Sequence, residues 1–258
     1  MKKILCLIIL PILFLTGCNK NENKPVFDKI IENDSLTVGV KTDAKPFGFI
    51  NETTGKNDGF DIDIAKYIAR DILGTDKNIK YVSVNSNTRI ESVTSGNVDM
   101  VIATMSITPQ RQYLIDFSVP YYIASQTAVV KKDSDIYTFS DLRNKTTIIV
   151  MGTTAEKNLR RIVPTAKIIG YKTYDEAFSA FIQGKGEALI TDDTILSDFI
   201  YKNKGYRMLK SKLSQEPYAV GMMKEEDNDK LKQSVDIVIT RMLKDGTIKY
   251  LEKKWKLK

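Results

Sequence analysis

Residues 99–122 read DMVIATMSITPQRQYLIDFSVPYY, and this segment decides which fold the sequence predicts. It begins with a short apolar run that is typical of a buried strand. Thr108 and Pro109 then predict the start of a helix, because threonine caps a helix and proline gives up an N–H that has no partner in the first turn. Arg111 falls within that first turn.

Small hydroxyl side chains separate the predicted strand from Arg111. They are Thr104, Ser106 and Thr108, which offer hydrogen-bond donors together with the backbone N–H groups. Arginine adds a planar cation that can bind a carboxylate through two parallel hydrogen bonds. The segment therefore predicts a carboxylate-binding site. The alternative is a surface arginine that follows a buried strand.

Strands and helices alternate along most of the chain. The first half predicts strands at 36–40, 79–84 and 98–103, with helices from about 61 and over 89–95. The second half predicts strands at 127–131, 147–150, 167–171, 187–191 and 218–223, with helices at 155–161, 174–183, 195–201 and 229–244. This alternation is typical of α/β proteins with parallel sheets.

The order of residue types in residues 99–122 resembles the ligand-binding segment of the polar amino-acid-binding proteins of ABC importers, the extracellular solute-binding proteins of family 3. In that family a Ser/Thr-x-Thr-x-x-Arg pattern, matched here from Ser106 to Arg111, holds the α-carboxylate of a free amino acid. The resemblance covers nearly the whole chain after its N-terminal segment. It implies an α/β, two-lobed periplasmic-binding-protein-like fold of type II, with two parallel-sheet lobes joined by two hinge strands.

The resemblance also implies where the lobes divide and what the protein does. Lobe 1 would contain residues 29–126 and 216–258, and lobe 2 would contain residues 127–215. The ligand would lie in the cleft between them, where strand ends meet helix N-termini. Such a protein closes around an amino acid by hinge bending and presents it to the permease subunits of the importer. We expect a monomer without catalytic activity.

Three further segments carry candidate ligand contacts. Thr153 and Thr154 join a predicted strand to a helix, so their N–H groups favour an anion, and the family has the same GTTAE order at its lobe 2 wall. The alternative is an ordinary capped helix start. Asp192, at a strand end, matches the family position that binds the α-ammonium; it could instead cap the next helix, with Asp193 as the binder. Phe47 resembles the aromatic residue that packs on the ligand, although an aromatic residue in a PFGF turn can also cover the core.

Two cations bear on the choice of ligand. Lys41 follows the first predicted strand, and Arg89 resembles the additional arginine of relatives that bind acidic and sulfur-containing amino acids. Buried cations without a partner are costly, so the pair predicts a ligand with a second carboxylate, aspartate or glutamate. The alternative is that both side chains point to solvent. Cysteine or another small polar amino acid is the competing ligand.

Composition excludes several classes of protein. The 258 residues are 42% hydrophobic and 28% charged, as in folded soluble proteins. The formal net charge is +7, but no basic run carries interleaved aromatic residues, so we expect no nucleic-acid partner. Histidine is absent, which excludes a Ser-His-Asp triad and a histidine-ligated metal, and predicts binding that does not depend on pH near neutrality. We expect no metal and no cofactor.

The N-terminus predicts export and anchoring. Lys2 and Lys3 precede an apolar run that is too short to span a bilayer, so residues 1–17 read as a signal peptide. The ending LTGC resembles a bacterial lipobox, which implies that Cys18 carries acyl chains such as palmitate. Residues 18–28 would then tether the fold to the extracytoplasmic face of the cell membrane. The alternative is ordinary signal-peptide cleavage.

A dehydratase-like enzyme is the alternative from a different functional class. Some proteins of this fold act on cyclohexadienyl substrates and need a general acid beside the leaving hydroxyl. No general acid stands out in the sequence beyond Asp192, and the predicted binding site already assigns Asp192 to the ligand ammonium.

Overall fold

The structure is a computed structural model that describes residues 24–224 and 229–257, with residue 229 described by its backbone alone. The predicted signal peptide and Cys18 lie outside the described residues. The last part of the predicted tether forms the start of a helix at Val26. Within the described part of the chain, no helix combines the length and apolar character that a membrane crossing requires.

Most of the predicted helices and strands are confirmed to within a few residues. The helices are α1 (Val26–Glu32), α2 (Phe60–Leu73), α3 (Arg89–Thr94), α4 (Pro109–Leu114), α5 (Ala155–Ile162), α6 (Tyr174–Ile182), α7 (Asp193–Lys202), α8 (Asp229–Lys244) and α9 (Thr247–Lys254). The strands are β1 (Leu36–Val40), β2 (Asp43–Ala44), β3 (Gly48–Ile50), β4 (Asn57–Asp58), β5 (Ile79–Ser83), β6 (Met100–Ile102), β7 (Ile115–Phe117), β8 (Tyr122–Lys131), β9 (Thr146–Val150), β10 (Lys167–Tyr171), β11 (Ala188–Asp192), β12 (Tyr206–Met208), β13 (Ser214–Tyr218) and β14 (Gly221–Met223).

The fold has two α/β lobes, each with its own sheet. Lobe 1 contains a five-stranded sheet in the order β5-β1-β6-β14-β7, on which α2 and α3 pack. Lobe 2 contains a six-stranded sheet in the order β10-β9-β11-β8-β12, with β13 also paired to β8, and it carries α5, α6 and α7. A small antiparallel sheet, β2-β3-β4, packs beside α2.

Both sheets are mixed rather than wholly parallel. In lobe 1, β1 runs parallel to β5 and β6, whereas β14 runs antiparallel to β6 and β7. In lobe 2, β9 runs parallel to β10 and β11, whereas β8 runs antiparallel to β11, β12 and β13. Two of the antiparallel strands lie where the chain passes between the two sheets, since β8 leads into the lobe 2 sheet and β13 leads out of it.

The prediction of a single strand over 218–223 is wrong. β13 ends at Tyr218 in the lobe 2 sheet, and β14 begins at Gly221 in the lobe 1 sheet. The continuous apolar run reads as one strand because the residues between, Ala219 and Val220, are as buried as the strands themselves. The chain therefore passes from the lobe 2 sheet to the lobe 1 sheet within this run.

Helix α2 is buried over its whole N-terminal part and on one face beyond it. Ile64 and Ile68 lie on one face of α2 and are fully buried against the lobe 1 core. Gly74 then ends the helix in the left-handed conformation that glycine adopts most easily. The sheets and helices together hold the ends of β1, β6, β9 and β11 close to the boundary between the lobes.

Candidate ligand-binding site

A small, narrow cavity lies between the two lobes. The residues that line it are Lys41, Arg89, Thr104, Ser106, Gln126, Thr153, Thr154, Tyr174 and Asp192. Seven of the nine residues predicted as ligand contacts are in this set, and the other two, Phe47 and Arg111, are not. The sequence did not indicate Gln126 or Tyr174.

Parallel strand pairing explains why these residues converge. Lys41 follows β1 and Thr104 follows β6, and these two strands are neighbours that run in the same direction. In lobe 2, Thr153 follows β9 and Asp192 ends β11, which are also parallel neighbours. The carboxyl ends of parallel strands meet at one edge of a sheet, so each lobe presents its polar residues at the edge that faces the other lobe.

Thr104 adopts an unusual backbone conformation, with φ of 48° in the left-handed region. Its N–H donates to Oδ2 of Asp61 at 2.9 Å, and Oδ1 of Asp61 accepts from the Tyr121 hydroxyl at 2.9 Å. Asp61 is fully buried, and burial raises its pKa to about 6. The buried carboxylate of Asp61 therefore stabilises the backbone of the cavity wall at Thr104, on the side away from the cavity.

Arg89 is only 1% exposed and is held by backbone carbonyls. Its Nη1 donates to the carbonyls of Ala103 at 2.5 Å and Thr104 at 3.0 Å, and its Nη2 lies 3.4 Å from the carbonyl of Gly152 in lobe 2. Burial lowers its pKa, yet a guanidinium stays protonated at neutral pH. The alternative that Arg89 points to solvent is therefore wrong.

Arg111 lies directly beside the cavity. The Thr108 hydroxyl accepts from the Arg111 N–H at 3.2 Å, which confirms the predicted helix cap. The guanidinium donates through Nη1 to the Ser106 carbonyl at 2.7 Å and through Nη2 to the Gly152 carbonyl at 2.9 Å. Arg111 is 8% exposed, so it is not the surface arginine of the alternative reading.

Lys41 is 1% exposed, which also excludes the solvent alternative for this side chain. Its Nζ has no hydrogen-bond partner among the described residues and lies 4.6 Å from the centre of the Tyr174 ring. Burial and the nearby charge of Arg89 lower the pKa of Lys41 to about 7, against the opposing effect of Asp43. A pKa near neutrality would give this side chain a source of pH-dependent binding that the absence of histidine did not indicate, and the expectation of pH-independent binding stays a prediction.

Asp192 and Asp193 differ in their surroundings. Asp192 occupies the cap position of α7, but its side chain makes no capping hydrogen bond. Its Oδ2 accepts from the Tyr218 hydroxyl, and its Oδ1 has no partner among the described residues. Burial raises its pKa to about 6, although the bond from Tyr218 opposes that shift. Asp193 pairs instead with Nζ of Lys212 at 2.6 Å and is not among the residues that line the cavity.

The lobe 2 threonines lie in a polar network. The Thr153 hydroxyl donates to the Val150 carbonyl at 2.6 Å, and Thr154 makes no side-chain cap for α5. Thr154 instead accepts from Nε2 of Gln126 at 3.1 Å, and Oε1 of Gln126 accepts from Asn158 at 3.0 Å.

Phe47 lies in the core rather than at the cavity. It is fully buried and packs edge-on against the rings of Phe60, Tyr122 and Tyr218, with ring centres 5.3 to 6.1 Å apart. Tyr218 is the residue that donates to Asp192. The structure therefore brings Phe47 behind the cavity wall and not to its surface.

The arrangement suits a small zwitterion. Lobe 1 contributes the cations Lys41 and Arg89, with Arg111 beside them, and lobe 2 contributes the carboxylate of Asp192. In the described part of the chain no group of three or more Asp, Glu, Cys or His residues has the geometry to hold a metal ion. The site can bind an anionic group on one side and a cationic group on the other.

Comparison with known proteins agrees with this description. Residues 36–258 match the family model of bacterial extracellular solute-binding proteins, family 3. The ABC transporter glutamine-binding protein GlnH of Bacillus subtilis is 35% identical over 268 aligned positions, which cover 99% of this chain and 97% of that protein. The glutamine-binding protein of Geobacillus stearothermophilus is 41% identical over 202 positions, covering 78% and 77%.

A solved structure extends the similarity to three dimensions. The cysteine-binding protein of Campylobacter jejuni superimposes with a TM-score of 0.85 at 30% identity, and the match covers 90% of this chain and 93% of that one. This likeness agrees with the two-lobed α/β arrangement. On the extent of the family match, this chain belongs to the bacterial extracellular solute-binding proteins of family 3.

Proposed function

We propose that this chain is the extracytoplasmic substrate-binding component of an ABC importer and captures a free amino acid between its two lobes. The observation that carries the proposal is the cavity, in which buried cations of lobe 1 lie opposite the buried Asp192 of lobe 2. A free amino acid has a carboxylate and an ammonium on one carbon, so it needs donors on one side and an acceptor on the other.

Each group has a proposed role. Arg111 and Ser106, with Thr104, bind the α-carboxylate, because the guanidinium has five N–H donors and the recorded contacts use two of them. Thr153 and Thr154 add donors at the start of α5. Asp192 binds the α-ammonium through Oδ1, the oxygen that has no partner among the described residues. The pairing of Asp193 with Lys212 supports Asp192 over its neighbour.

We propose an acidic amino acid, glutamate or aspartate, as the ligand. Nζ of Lys41 is buried at the cavity without a hydrogen-bond partner among the described residues, and a side-chain carboxylate would pair with it. Glutamine is the second candidate, because two relatives named for glutamine binding align with most of this chain and a side-chain amide oxygen could also accept from Lys41.

Isothermal titration calorimetry with aspartate, glutamate, glutamine, asparagine, cysteine and arginine tests both levels of the proposal. Tightest binding of an acidic amino acid supports the role given to Lys41. Tightest binding of glutamine would move the assignment to the second candidate. If none of the six binds, the proposed function itself fails.

The lobe boundaries and the hinge follow from the same proposal. β8 and β13 pair antiparallel over residues 122–126 and 214–218, which supports hinge strands that divide lobe 1 from lobe 2 near residues 126 and 215. We propose that the protein acts as a monomer and delivers its ligand to the permease subunits. Catalysis has no assigned group, since the cavity carboxylate of Asp192 binds the ammonium in this scheme.

The membrane anchor is a separate proposal that rests on the LTGC sequence. Cys18 would carry the lipid on the extracytoplasmic face of the cell membrane. Cell fractionation of the Cys18→Ser variant tests it, because loss of the lipid should release the protein from the membrane. Unchanged attachment in that variant would contradict the anchor.

A further inference from the structure

Gly152, in the turn after β9, brings the backbones of the two lobes into direct contact. A Cβ atom built at Gly152 would lie 2.4 Å from the carbonyl oxygen of Ser86, 2.5 Å from its carbonyl carbon and 2.7 Å from the nitrogen of Asn87. Ser86 and Asn87 belong to the lobe 1 segment between β5 and α3. Because all three contacts are to backbone atoms, no side-chain rotation can relieve them.

The carbonyl of Gly152 is an acceptor for both arginines of lobe 1. Arg111 donates to it at 2.9 Å, and Arg89 lies 3.4 Å from it. The same two guanidinium groups are tied on their other side to lobe 1 carbonyls. Gly152 therefore joins lobe 2 to the two cations only when the lobes are as close as they are in this structure.

A second contact joins the lobes beside Lys41. Oδ2 of Asp43, in β2 of lobe 1, accepts from the backbone N–H of Tyr174, the first residue of α6 in lobe 2, at 2.8 Å. The first N–H groups of a helix have no partner within the helix, and a carboxylate is favourable at that end. The bond also holds the Tyr174 ring over Nζ of Lys41.

We propose that Gly152 and Asp43 are positioning residues that set how completely the lobes close, and that the substitution of Gly152 changes the affinity for every ligand by a common factor. The inference rests on the proposed amino-acid binding. A ligand held by both lobes has an apparent dissociation constant that rises as the closed fraction of the protein falls. Residues that stabilise closure without touching the ligand therefore alter affinity but not the order of preference.

The test compares Gly152→Ala with Gly184→Ala. Gly184 has φ of 76° and Gly152 has φ of 75°, so the backbone strain of an alanine is the same, but a Cβ at Gly184 meets no atom within 4 Å. Calorimetry with the six amino acids should show that Gly152→Ala weakens every ligand by a similar factor of about 10 to 100. Gly184→Ala should bind as the unaltered protein does.

Amide exchange at Tyr174, followed by NMR, reports closure independently. Ligand should slow exchange of this N–H in the unaltered protein, because Asp43 is its partner across the cleft, and should do so much less in Gly152→Ala. Asp43→Ala should weaken all ligands, and the acidic ones most, because the charge of Asp43 also favours protonated Lys41. Asp43→Asn should recover part of the loss common to all ligands, because its amide oxygen can still accept.

Several outcomes would overturn the inference. They are unchanged affinity in Gly152→Ala, a loss confined to one ligand, or an equal loss in Gly184→Ala. If Gly152→Ala does not fold, the two Asp43 variants test the inference instead. Equal affinity in Asp43→Ala and the unaltered protein would then reject the inference. Failure of the unaltered protein to bind any amino acid would instead reject the proposed function.

Discussion

The two walls of the cavity are built in different ways. On the lobe 1 wall, Arg89 and Arg111 are each fixed by carbonyls of their own lobe, those of Thr104 and Ser106 among them. On the lobe 2 wall, Asp192 has one oxygen bound by a tyrosine and one with no partner among the described residues. Lobe 1 therefore presents a cationic surface that its own backbone organises, whereas lobe 2 carries the compensating negative charge.

Burial disfavours the charged form on both walls. It lowers the pKa of Lys41 to about 7 and raises that of Asp192 to about 6. An uncompensated buried charge is costly, and a zwitterion placed with its carboxylate toward lobe 1 and its ammonium toward lobe 2 would relieve both walls. Ligand binding and closure should therefore favour each other.

The largest expected effect is that of Arg111, because it would contact the ligand and also joins the lobes. Arg111→Ala should weaken every amino acid about 100-fold or more, since it leaves a buried ligand carboxylate without its partner. Arg111→Lys should recover little of the loss, because an ammonium cannot make the paired, planar contacts of a guanidinium. Calorimetry gives the affinities, and thermal unfolding checks that the variant is folded. Near-normal affinity in Arg111→Ala would contradict the role of the lobe 1 wall in binding the ligand carboxylate.

Asp192 tests the opposite wall. Asp192→Asn should weaken every amino acid about 10- to 100-fold, because an amide keeps the shape of the carboxylate but loses its charge toward the ammonium. Asp193→Asn is the matched control and should change affinity little, since Asp193 pairs with Lys212. The unaltered protein should also lose affinity as the pH falls through about 6, where Asp192 takes up a proton, and Asp192→Asn should not. A larger loss in Asp193→Asn would exchange the roles of the two carboxylates.

The sequence predicted the positions at strand ends better than it predicted packing. Lys41, Thr104 and Asp192 were predicted from their places at strand ends and from the family resemblance, and parallel strands bring their carboxyl ends together in any such fold. Phe47 does not, since whether an aromatic ring reaches the cavity or the core depends on Tyr122 and Tyr218, which lie far away in the chain.

Burial is the second property that the sequence could not supply. Asp61 lies in the first turn of an amphipathic helix, where acidic residues commonly face solvent, yet its carboxylate is fully enclosed by the fold. The same holds for Lys41, whose pKa depends on desolvation and on Arg89 rather than on residue type. A chain without histidine can therefore titrate near neutrality.

A third prediction concerns that titration on the lobe 1 wall. Protonated Lys41 attracts a side-chain carboxylate, so affinity for glutamate or aspartate should fall roughly tenfold between pH 7 and 8.5 as Lys41 loses its proton. Lys41→Met should remove most of this dependence and bind acidic ligands weakly at both pH values. Calorimetry across this range checks it, with glutamine as the neutral comparison ligand. A parallel decline for glutamine would mean that another group titrates.

The smallest expected effect on affinity is that of Asp61, which supports the lobe 1 wall without reaching the cavity. Asp61→Asn should change affinity less than about threefold, because the amide oxygen can still accept from the Thr104 N–H. Its effect on stability should instead depend on pH. The folded-state pKa of about 6 lies above the ordinary 3.8, so folding takes up a proton between these values.

The carboxyl group of Asp61 therefore contributes more stability as the pH falls from about 7 to about 4, by at most about 3 kcal/mol in the free energy of unfolding. Asp61→Asn has no such proton to take up, so its stability relative to the unaltered protein should be highest at pH 7 and should decrease toward pH 4. Chemical unfolding of both proteins at several pH values measures this difference. A stability difference that is constant with pH would mean that the pKa of Asp61 in the folded protein is the ordinary one. A large loss of affinity in Asp61→Asn would mean that the lobe 1 wall depends on this charge and is not organised by its backbone alone.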